Sequence, residues 1–184
     1  AETALLLSKV DMMCGSASTE LGDTASGVRK ATALLENRKT QLVEYARKKH
    51  IPLSPPGHII LSPPCSGKTT YVKGQSKYCD LDDIAYEFNL HGEGYSQKPH
   101  TEEEERRHYT RIDGWLATLK ELGFNVLGSL YENYVPDAIV ILDVGTHKQY
   151  VEQREDVTWE RAVELRAMLQ TLARKNNVRV FPTI

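Results

Sequence analysis

The chain has 184 residues, enough for one domain with a hydrophobic core and an extension. Apolar residues make up 40% and charged residues 26% of the sequence, as is usual for a soluble globular protein. The net charge of −2 excludes a global basic field that recruits nucleic acid, although it is compatible with a local basic groove. The longest apolar run, residues 138–142, is too short to span a bilayer, so no membrane partner is expected.

The cysteines indicate a cytoplasmic location. Cys14, Cys65 and Cys79 are odd in number and follow no metal-binding spacing, which is typical of reduced thiols. The chain begins with Ala1 rather than Met. Either the initiator was removed, or the chain was processed from a longer protein. If that protein is a viral structural polyprotein, the fragment would be associated with the virion.

The first 50 residues are predicted to form a helical arm. Residues 1–14 are strongly apolar and predict a short helix, and residues 15–27 are rich in Ser, Thr and Gly, which indicates a flexible link. From Val28 onward, apolar positions recur at helical spacing. We expect residues 1–50 to lie outside the core and to dock on the protein's own domain, on a second copy or on a larger assembly. Residues 51–184 form the predicted main domain.

The main domain is predicted to be α/β, with a five-stranded, mostly parallel sheet. Apolar runs predict strands at residues 58–61, 77–79, 124–130, 138–142 and 178–181. Helical patterns cover residues 68–73, 84–90, 101–122 and 158–175, and residues 147–155 are polar and partly helical. The Thr101–Glu104 spacing is a capping box, and Gly123 is expected to end that helix. Alternating strands and helices favour a parallel sheet covered on both faces.

The polar residues that follow the predicted strands are expected to meet at one edge of the sheet. Right-handed crossovers bring the carboxyl ends of parallel strands together, and ligands of open α/β sheets bind there. The segment after the first strand, the acidic residues 80–83, Tyr131 and Asp143 all follow predicted strands.

Residues 62–69 have the pattern of a phosphate-binding loop, the Walker A motif G-x-x-x-x-G-K-[ST]. They read Ser-Pro-Pro-Cys-Ser-Gly-Lys-Thr between an apolar strand and a helix, with Ser62 at the position of the first glycine. Backbone N–H groups and the helix dipole at such a loop attract phosphate, the lysine reaches the β- and γ-phosphates, and the threonine hydroxyl ligates Mg²⁺. The predicted nucleotide-binding residues are Cys65, Ser66, Gly67, Lys68, Thr69 and Thr70. The alternative is a Ser/Pro-rich turn that only joins a strand to a helix.

Residues 58–184 resemble the small P-loop kinases, the nucleoside- and nucleotide-kinase-like group that includes shikimate kinase and polynucleotide 5′-kinases. The resemblance rests on the Ser-Gly-Lys-Thr-Thr-Tyr run at residues 66–71, on the Asp-Leu-Asp-Asp run at residues 80–83, and on the order of the elements. It implies a P-loop NTPase fold with three α/β/α layers and ATP or GTP with Mg²⁺ as cofactors. The activity it implies is transfer of a γ-phosphate to a nucleoside, a nucleotide or a nucleic-acid 5′-hydroxyl.

Phosphoryl transfer requires neutralised phosphate charge and an acceptor oxygen held in line. Lys68 and Mg²⁺ would neutralise the charge, and Asp82 is the predicted base that accepts the hydroxyl proton. Thr69 is the predicted metal ligand, with Asp80 in the outer shell of the metal. The alternative for the acidic run is that an aspartate caps the helix that follows.

Arginines near a closing lid steady the transferred phosphate in this family, and Arg154 is the predicted catalytic arginine on that resemblance. Arg161 is a second candidate at the lid, and Arg106, Arg107 and Arg111 are candidates for contact with the acceptor. For each, the alternative is a solvated helix face with weak Glu–Arg pairs.

Aromatic residues divide into core and loop positions. Trp115 and Trp159 are expected in the core because they recur with leucines at helical spacing. Tyr95, in a glycine-rich stretch, is a candidate for stacking on a base. The histidines show no spacing typical of a zinc site.

Two other functions are compatible with the sequence. The first is a non-catalytic nucleotide-binding module in a larger assembly, such as a processed viral structural polyprotein, with the helical arm as its anchor. The second is a nucleotide hydrolase switch, although no glutamine that would position water is evident near the third strand.

Overall fold

The computed structural model describes residues 25–90, 101–129 and 134–183. The helices are α1 (Ala25–Lys48), α2 (Lys68–Lys73), α3 (Leu81–Glu87), α4 (Glu102–Leu122), α5 (Val144–Glu152) and α6 (Trp159–Asn176). The strands are β1 (Ile59–Leu61), β2 (Cys79–Asp80), β3 (Val126–Gly128), β4 (Ala138–Val140) and β5 (Arg179–Phe181). The five strands form one sheet in the order β2-β3-β1-β4-β5, and every neighbouring pair is parallel. The predicted α/β class and the five-stranded parallel sheet are therefore confirmed.

Strand β1 occupies the centre of the sheet because its residues are apolar on both faces. Ile59 and Leu61 are fully buried on one face of the sheet, and Ile60, which points to the other face, is half-buried. Ile59 pairs with Val126 of β3, and Ile60 pairs with Ala138 of β4. The chain therefore leaves β1 from the middle of the carboxyl edge.

The strand order creates a switch point beside β1. The connection from β1 leads past β3 to β2, whereas the connection from β4 leads the other way to β5. Connections that diverge from neighbouring strands leave a crevice between them, which is where open α/β sheets bind ligands. The crevice lies at the carboxyl ends of β1 and β4.

The ends of α4 agree with the sequence prediction. The Thr101 hydroxyl accepts a hydrogen bond from the Glu104 N–H, and the Glu104 side chain accepts one from the Thr101 N–H, so both halves of the capping box form. Gly123 ends the helix with φ 95°. A Cβ there would lie 2.6 Å from the backbone nitrogen of Ser54, so the position requires glycine for both conformation and space.

Several predicted boundaries are wrong. The third and fourth strands are shorter than predicted, at Val126–Gly128 and Ala138–Val140. Helix α3 begins at Leu81 rather than at residue 84, so most of the acidic run lies in its first turn. Helix α1 begins at Ala25, inside the stretch predicted as a flexible link; residues 1–24 lie outside the described part of the chain.

Helix α1 packs on the sheet domain. Leu35, Leu42, Tyr45 and Ala46 are buried in the same hydrophobic cluster as Trp115 of α4. The Tyr45 ring meets the Phe88 ring edge to face, with 5.5 Å between their centroids. The arm was expected to dock on its own domain, on a second copy or on a larger assembly, and residues 31–46 pack on their own domain. They were expected to lie outside the core, but they contribute to it. The domain boundary at residue 50 stays a prediction.

We predict that Leu42→Ala lowers the free energy of unfolding by about 3 kcal/mol, because it removes a fully buried side chain and leaves a cavity. Val43, the next residue on the helix, is 44% exposed, and Val43→Ala is the matched control, with a change within about 0.5 kcal/mol. Urea denaturation measures both. Equal effects of the two substitutions would contradict the packing of α1 on the domain.

Candidate functional site

The loop of residues 62–67 joins β1 to α2 and bends sharply. The Ser62 N–H continues the strand pairing by donating to the Gly128 carbonyl at 2.9 Å. The Ser66 hydroxyl donates to the Pro63 carbonyl at 2.7 Å and closes the turn. Cys65 and Gly67 have φ values of 60° and 83°. The left-handed conformation costs a non-glycine residue about 1 kcal/mol, so the loop holds Cys65 under local strain.

The loop presents backbone donors beside the start of α2. The first intrahelical hydrogen bond runs from the Tyr71 N–H to the Gly67 carbonyl at 2.9 Å. The N–H groups of the preceding helical residues have no carbonyl partner within a helix that starts there. Left-handed residues that alternate with right-handed ones turn such amides toward a common concavity, which favours an anion.

Lys68 is the buried cation of the site. Its side chain lines the cleft, yet the residue is only 7% exposed, and its ammonium group donates to the Pro63 carbonyl at 3.3 Å. Burial lowers the pKa of Lys68 below its usual value, and the nearby carboxylates of Asp82 and Asp80 oppose that shift. A buried ammonium group beside free space is suited to an anionic ligand.

Asp80 connects α2 to α3. Its carboxylate is buried and accepts a hydrogen bond from the Thr69 hydroxyl at 2.8 Å. The second carboxylate oxygen accepts from the Asp82 N–H at 3.1 Å and caps α3. Asp80 thus takes the capping role that the sequence left as an alternative. Asp82 lies two residues later, in the first turn of α3, and lines the cleft.

A cleft of about 940 Å³ lies over the loop. It brings together most of the residues that the sequence predicted for the site. Those that line it are Cys65, Ser66, Gly67, Lys68, Thr69, Thr70, Asp82 and Arg154. Asp80 is below the surface and reaches the cleft through Thr69. Residues of α5 and of the segment after it also line the cleft, among them Tyr150, Gln153 and Val157.

Arg154 lies just beyond α5 and lines the same cleft as Asp82. It is exposed and forms an ion pair with Asp156, with its Nε donating to a carboxylate oxygen at 2.7 Å. This ion pair lowers the pKa of Asp156. Exposed pairs of this kind contribute little to stability, so Arg154 is able to exchange Asp156 for another anion at small cost.

The other candidate arginines do not line the cleft. Arg161 pairs with Glu164 at 2.6 Å and Arg107 with Glu103 at 2.5 Å, and all four side chains are exposed. These pairs match the solvated helix faces that the sequence left as the alternative. Arg106 is also exposed, and Arg111 is half-buried in α4.

The Thr69 hydroxyl and the Asp80 carboxylate supply oxygen atoms of the kind that Mg²⁺ binds. The Thr69 hydroxyl donates its hydrogen to the Asp80 carboxylate at 2.8 Å, which leaves the lone pairs of the hydroxyl oxygen to bind Mg²⁺ directly and would put Asp80 in the outer shell. Mg²⁺ at nucleotide sites takes one or two protein oxygens and completes its shell with water and phosphate. Within the described ranges, no group of three or more His, Cys, Asp or Glu residues is placed to hold a metal.

His147 and Arg166, which the sequence did not predict as site residues, lie directly behind the loop. The His147 Nε2 is 2.7 Å from the Pro64 carbonyl oxygen, and the Arg166 Nη1 is 3.0 Å from the His147 Nδ1. Arg166 shares the buried face of α6 with Ala162 and Leu169. An arginine in line with these apolar positions was the signal in the sequence that could have indicated its burial.

The structure also locates some of the other residues that the sequence singled out. Trp115 is buried in the core, as expected, and Trp159 is half-buried, with its ring edge-on to the His147 ring. Asp143 is exposed and caps α5. Tyr95 and Tyr131 lie outside the described residues.

Comparison of the chain with protein-family models, curated proteins and solved structures found no match. None of the helices in the described ranges combines the length and the apolar character that a membrane crossing needs.

We predict that Lys68→Met raises the free energy of unfolding by about 1 kcal/mol, because methionine removes a charge that is costly to bury and keeps the packing of the side-chain stem. Lys73→Met is the matched control on the exposed side of α2 and should change the value by less than about 0.5 kcal/mol. Chemical denaturation at neutral pH measures both. Destabilisation by Lys68→Met would mean that the ammonium group is well compensated in the unliganded protein.

Proposed function

We propose that residues 51–184 form a P-loop NTPase domain with three α/β/α layers that acts as a phosphotransferase. In this proposal it binds ATP or GTP with Mg²⁺ and moves the γ-phosphate to a nucleoside, a nucleotide or a nucleic-acid 5′-hydroxyl. The observation that carries the proposal is the buried Lys68 directly after the 62–67 loop, on the same cleft as Asp82 and next to the Thr69–Asp80 pair.

The loop would bind the phosphates of the nucleotide. Residues 65–69, with Lys68 among them, all line the cleft. The negative charge of a triphosphate bound there would compensate the buried ammonium group, which would account for a lysine at a position where it adds little stability to the free protein. The cleft volume of about 940 Å³ is sufficient for a nucleotide.

Thr69 and Asp80 would hold Mg²⁺ beside the phosphates. The ion would neutralise negative charge on the transferring group. The Thr69 hydroxyl would act as a direct ligand. Asp80 accepts hydrogen bonds from Thr69 and from the Asp82 N–H, so it would orient the threonine and the start of α3 together.

Asp82 would act as the general base. In the proposed step the acceptor hydroxyl oxygen forms a bond to the γ-phosphorus, its proton passes to the Asp82 carboxylate, and the bond to the β–γ bridging oxygen breaks to release the nucleoside diphosphate. The base must lie within hydrogen-bond reach of the acceptor hydroxyl. Asp82 is exposed on the cleft, which is compatible with a small acceptor or with the end of a polymer.

Arg154 would stabilise the transferred phosphoryl group. It lines the same cleft and would have to leave Asp156 to reach a phosphate. A guanidinium group matches phosphate oxygens with two hydrogen bonds, so a triphosphate competes well with one exposed carboxylate.

The direct experiment incubates the protein with Mg²⁺ and ATP or GTP labelled on the γ-phosphate, with nucleosides, nucleotides and 5′-hydroxyl oligonucleotides as acceptors. Label found on an acceptor supports the proposal. Binding without transfer would indicate instead a non-catalytic nucleotide-binding module of a larger assembly. Release of labelled phosphate without an acceptor would indicate a hydrolase.

We predict that Asp82→Asn lowers kcat for phosphoryl transfer by about 10²- to 10⁴-fold, because it removes the base, and leaves the KM for the nucleotide nearly unchanged. Asp83→Asn is the matched control, since Asp83 is the next residue in the first turn of α3 but faces away from the cleft. The rates of transfer to the best acceptor test both variants. A wild-type rate for Asp82→Asn excludes Asp82 as the base.

We also predict that Arg154→Ala lowers kcat by about 10³-fold, the effect of losing an arginine that contacts the transferring phosphate. Arg161→Ala removes an equally exposed arginine that is paired with Glu164 and should retain wild-type activity. The same transfer assay compares them, and equal losses would indicate a general effect of surface charge rather than contact with phosphate.

A further inference from the structure

A buried chain of hydrogen bonds connects α6 to the 62–67 loop. Arg166 is 8% exposed, and His147 is fully buried. The Arg166 Nη1 donates to the Leu142 carbonyl at 2.8 Å and lies 3.0 Å from the His147 Nδ1. The His147 Nε2 lies 2.7 Å from the Pro64 carbonyl oxygen. The chain thus runs from α6 through α5 to the loop.

The partners of His147 define its protonation state. A guanidinium group only donates hydrogen bonds, so the Nδ1 atom must accept; a carbonyl only accepts, so the Nε2 atom must carry the hydrogen. His147 therefore has to be the neutral Nε2–H tautomer. A second proton on Nδ1 would point at the Arg166 guanidinium group and place two cations in contact.

The contact with Pro64 controls the direction of a backbone donor. The peptide group that joins Pro64 to Cys65 is planar and trans, so its N–H points opposite to its carbonyl. By holding the Pro64 carbonyl, His147 fixes the direction of the Cys65 N–H. The preceding carbonyl, that of Pro63, is held by Ser66 and Lys68. The Ser62 N–H bond to the Gly128 carbonyl fixes the strand end of the loop, and the Pro64 contact ties the middle of the loop to α5.

We propose that His147 and Arg166 are positioning residues that keep the 62–67 loop in its anion-binding conformation, and that protonation of His147 releases the loop. The effect on the loop follows from these contacts alone. Its consequence for nucleotides rests on the function proposed above: affinity for ATP or GTP would fall as the solution becomes acidic, because the donors of the loop would no longer be held together.

The burial of His147 and the charges around it disfavour the protonated imidazole in the intact loop, so protonation favours release of the loop. Burial lowers the pKa of His147 below its usual value of 6.5, the Pro64 carbonyl opposes that shift, and the cations Arg166 and Lys68 lower the pKa further. Asp143, at the start of α5, acts on Arg166. Because the unfolded chain binds the proton more readily, the stability contributed by neutral His147 is complete above about pH 6.5 and is lost as the pH falls toward the folded value.

Hydrogen exchange of the nucleotide-free protein tests the effect on the loop. Protection of the Ser62 and Tyr71 amides, whose hydrogen bonds to the Gly128 and Gly67 carbonyls lie at the two ends of the loop, is measured between pH 7.5 and 5.5 and corrected for the intrinsic rate. We expect protection to fall by about tenfold in the wild type, the equivalent of one lost hydrogen bond. In His147→Gln, whose amide can donate to Pro64 but does not titrate, we expect protection independent of pH. His58→Gln, at the exposed amino end of β1, should behave as the wild type.

The wild type alone also tests the proposal if His147→Gln does not fold. The loss of protection should begin as the pH falls below about 6.5 and should level off at the pKa of the His147 imidazole measured by NMR in the folded protein. Protection of the loop that does not change while His147 titrates overturns the proposal, and so does an unchanged pH dependence in folded His147→Gln.

ATP binding by calorimetry over the same pH range separates this inference from the proposed function. The nucleotide titrates equally in both measurements, so its effect cancels in the ratio of the wild-type Kd to the His147→Gln Kd. We expect this ratio to rise about tenfold on acidification, in parallel with the loss of loop protection. Loss of loop protection without any ATP binding would support the positioning role and contradict the proposed function. ATP binding with a constant Kd ratio would overturn the role of His147 in the site.

Discussion

The site depends on keeping a lysine ammonium group out of water at the carboxyl edge of a parallel sheet. Lys68 is buried, and its close partner is a backbone carbonyl at 3.3 Å. Burial of a charge is unfavourable unless other groups compensate for it. The loop geometry, the Asp80 and Asp82 carboxylates and the open space of the cleft together make this tolerable, and they also make the position attractive to an anion.

The surrounding elements hold the lysine by two routes. On one side, Asp80 connects Thr69 of α2 with the first turn of α3, so the two helices that flank the cleft share one buried carboxylate. On the other side, His147 and Arg166 connect α5 and α6 with the loop through the Pro64 carbonyl. Each route uses a buried polar group whose partners come from another element, which gives the loop one conformation rather than several.

The hydrophobic core stabilises the strands and helices that hold the site. Strand β1 is apolar on both faces, and α1 and α4 add Leu42, Tyr45 and Trp115 to the same cluster. The hydrophobic cluster lies behind the sheet edge and contains none of the groups that line the cleft. Strain at Cys65 and the burial of Lys68 can therefore be tolerated at the edge, since stability is supplied elsewhere.

The local sequence was sufficient to predict the features that neighbours along the chain decide. The capping box at Thr101, the end of α4 at Gly123, the central apolar strand and the order of loop and helix around Lys68 all follow from residues within a few positions of each other. The α/β class and the parallel sheet followed from the alternation of such elements. The meeting of Lys68, Asp82 and Arg154 on one cleft agrees with the expected convergence of polar segments at the sheet edge, whereas their chemical roles stay predictions.

Tertiary structure decided what depends on residues far apart in the chain. The amphipathic pattern of α1 indicated a buried face but not the surface that covers it, because many apolar surfaces satisfy the same pattern. Likewise, nothing near His147 indicates that it contacts Pro64, 83 positions away. A polar side chain can be buried only where another segment supplies its hydrogen bonds, and that segment is chosen by the strand order and the packing of the whole domain.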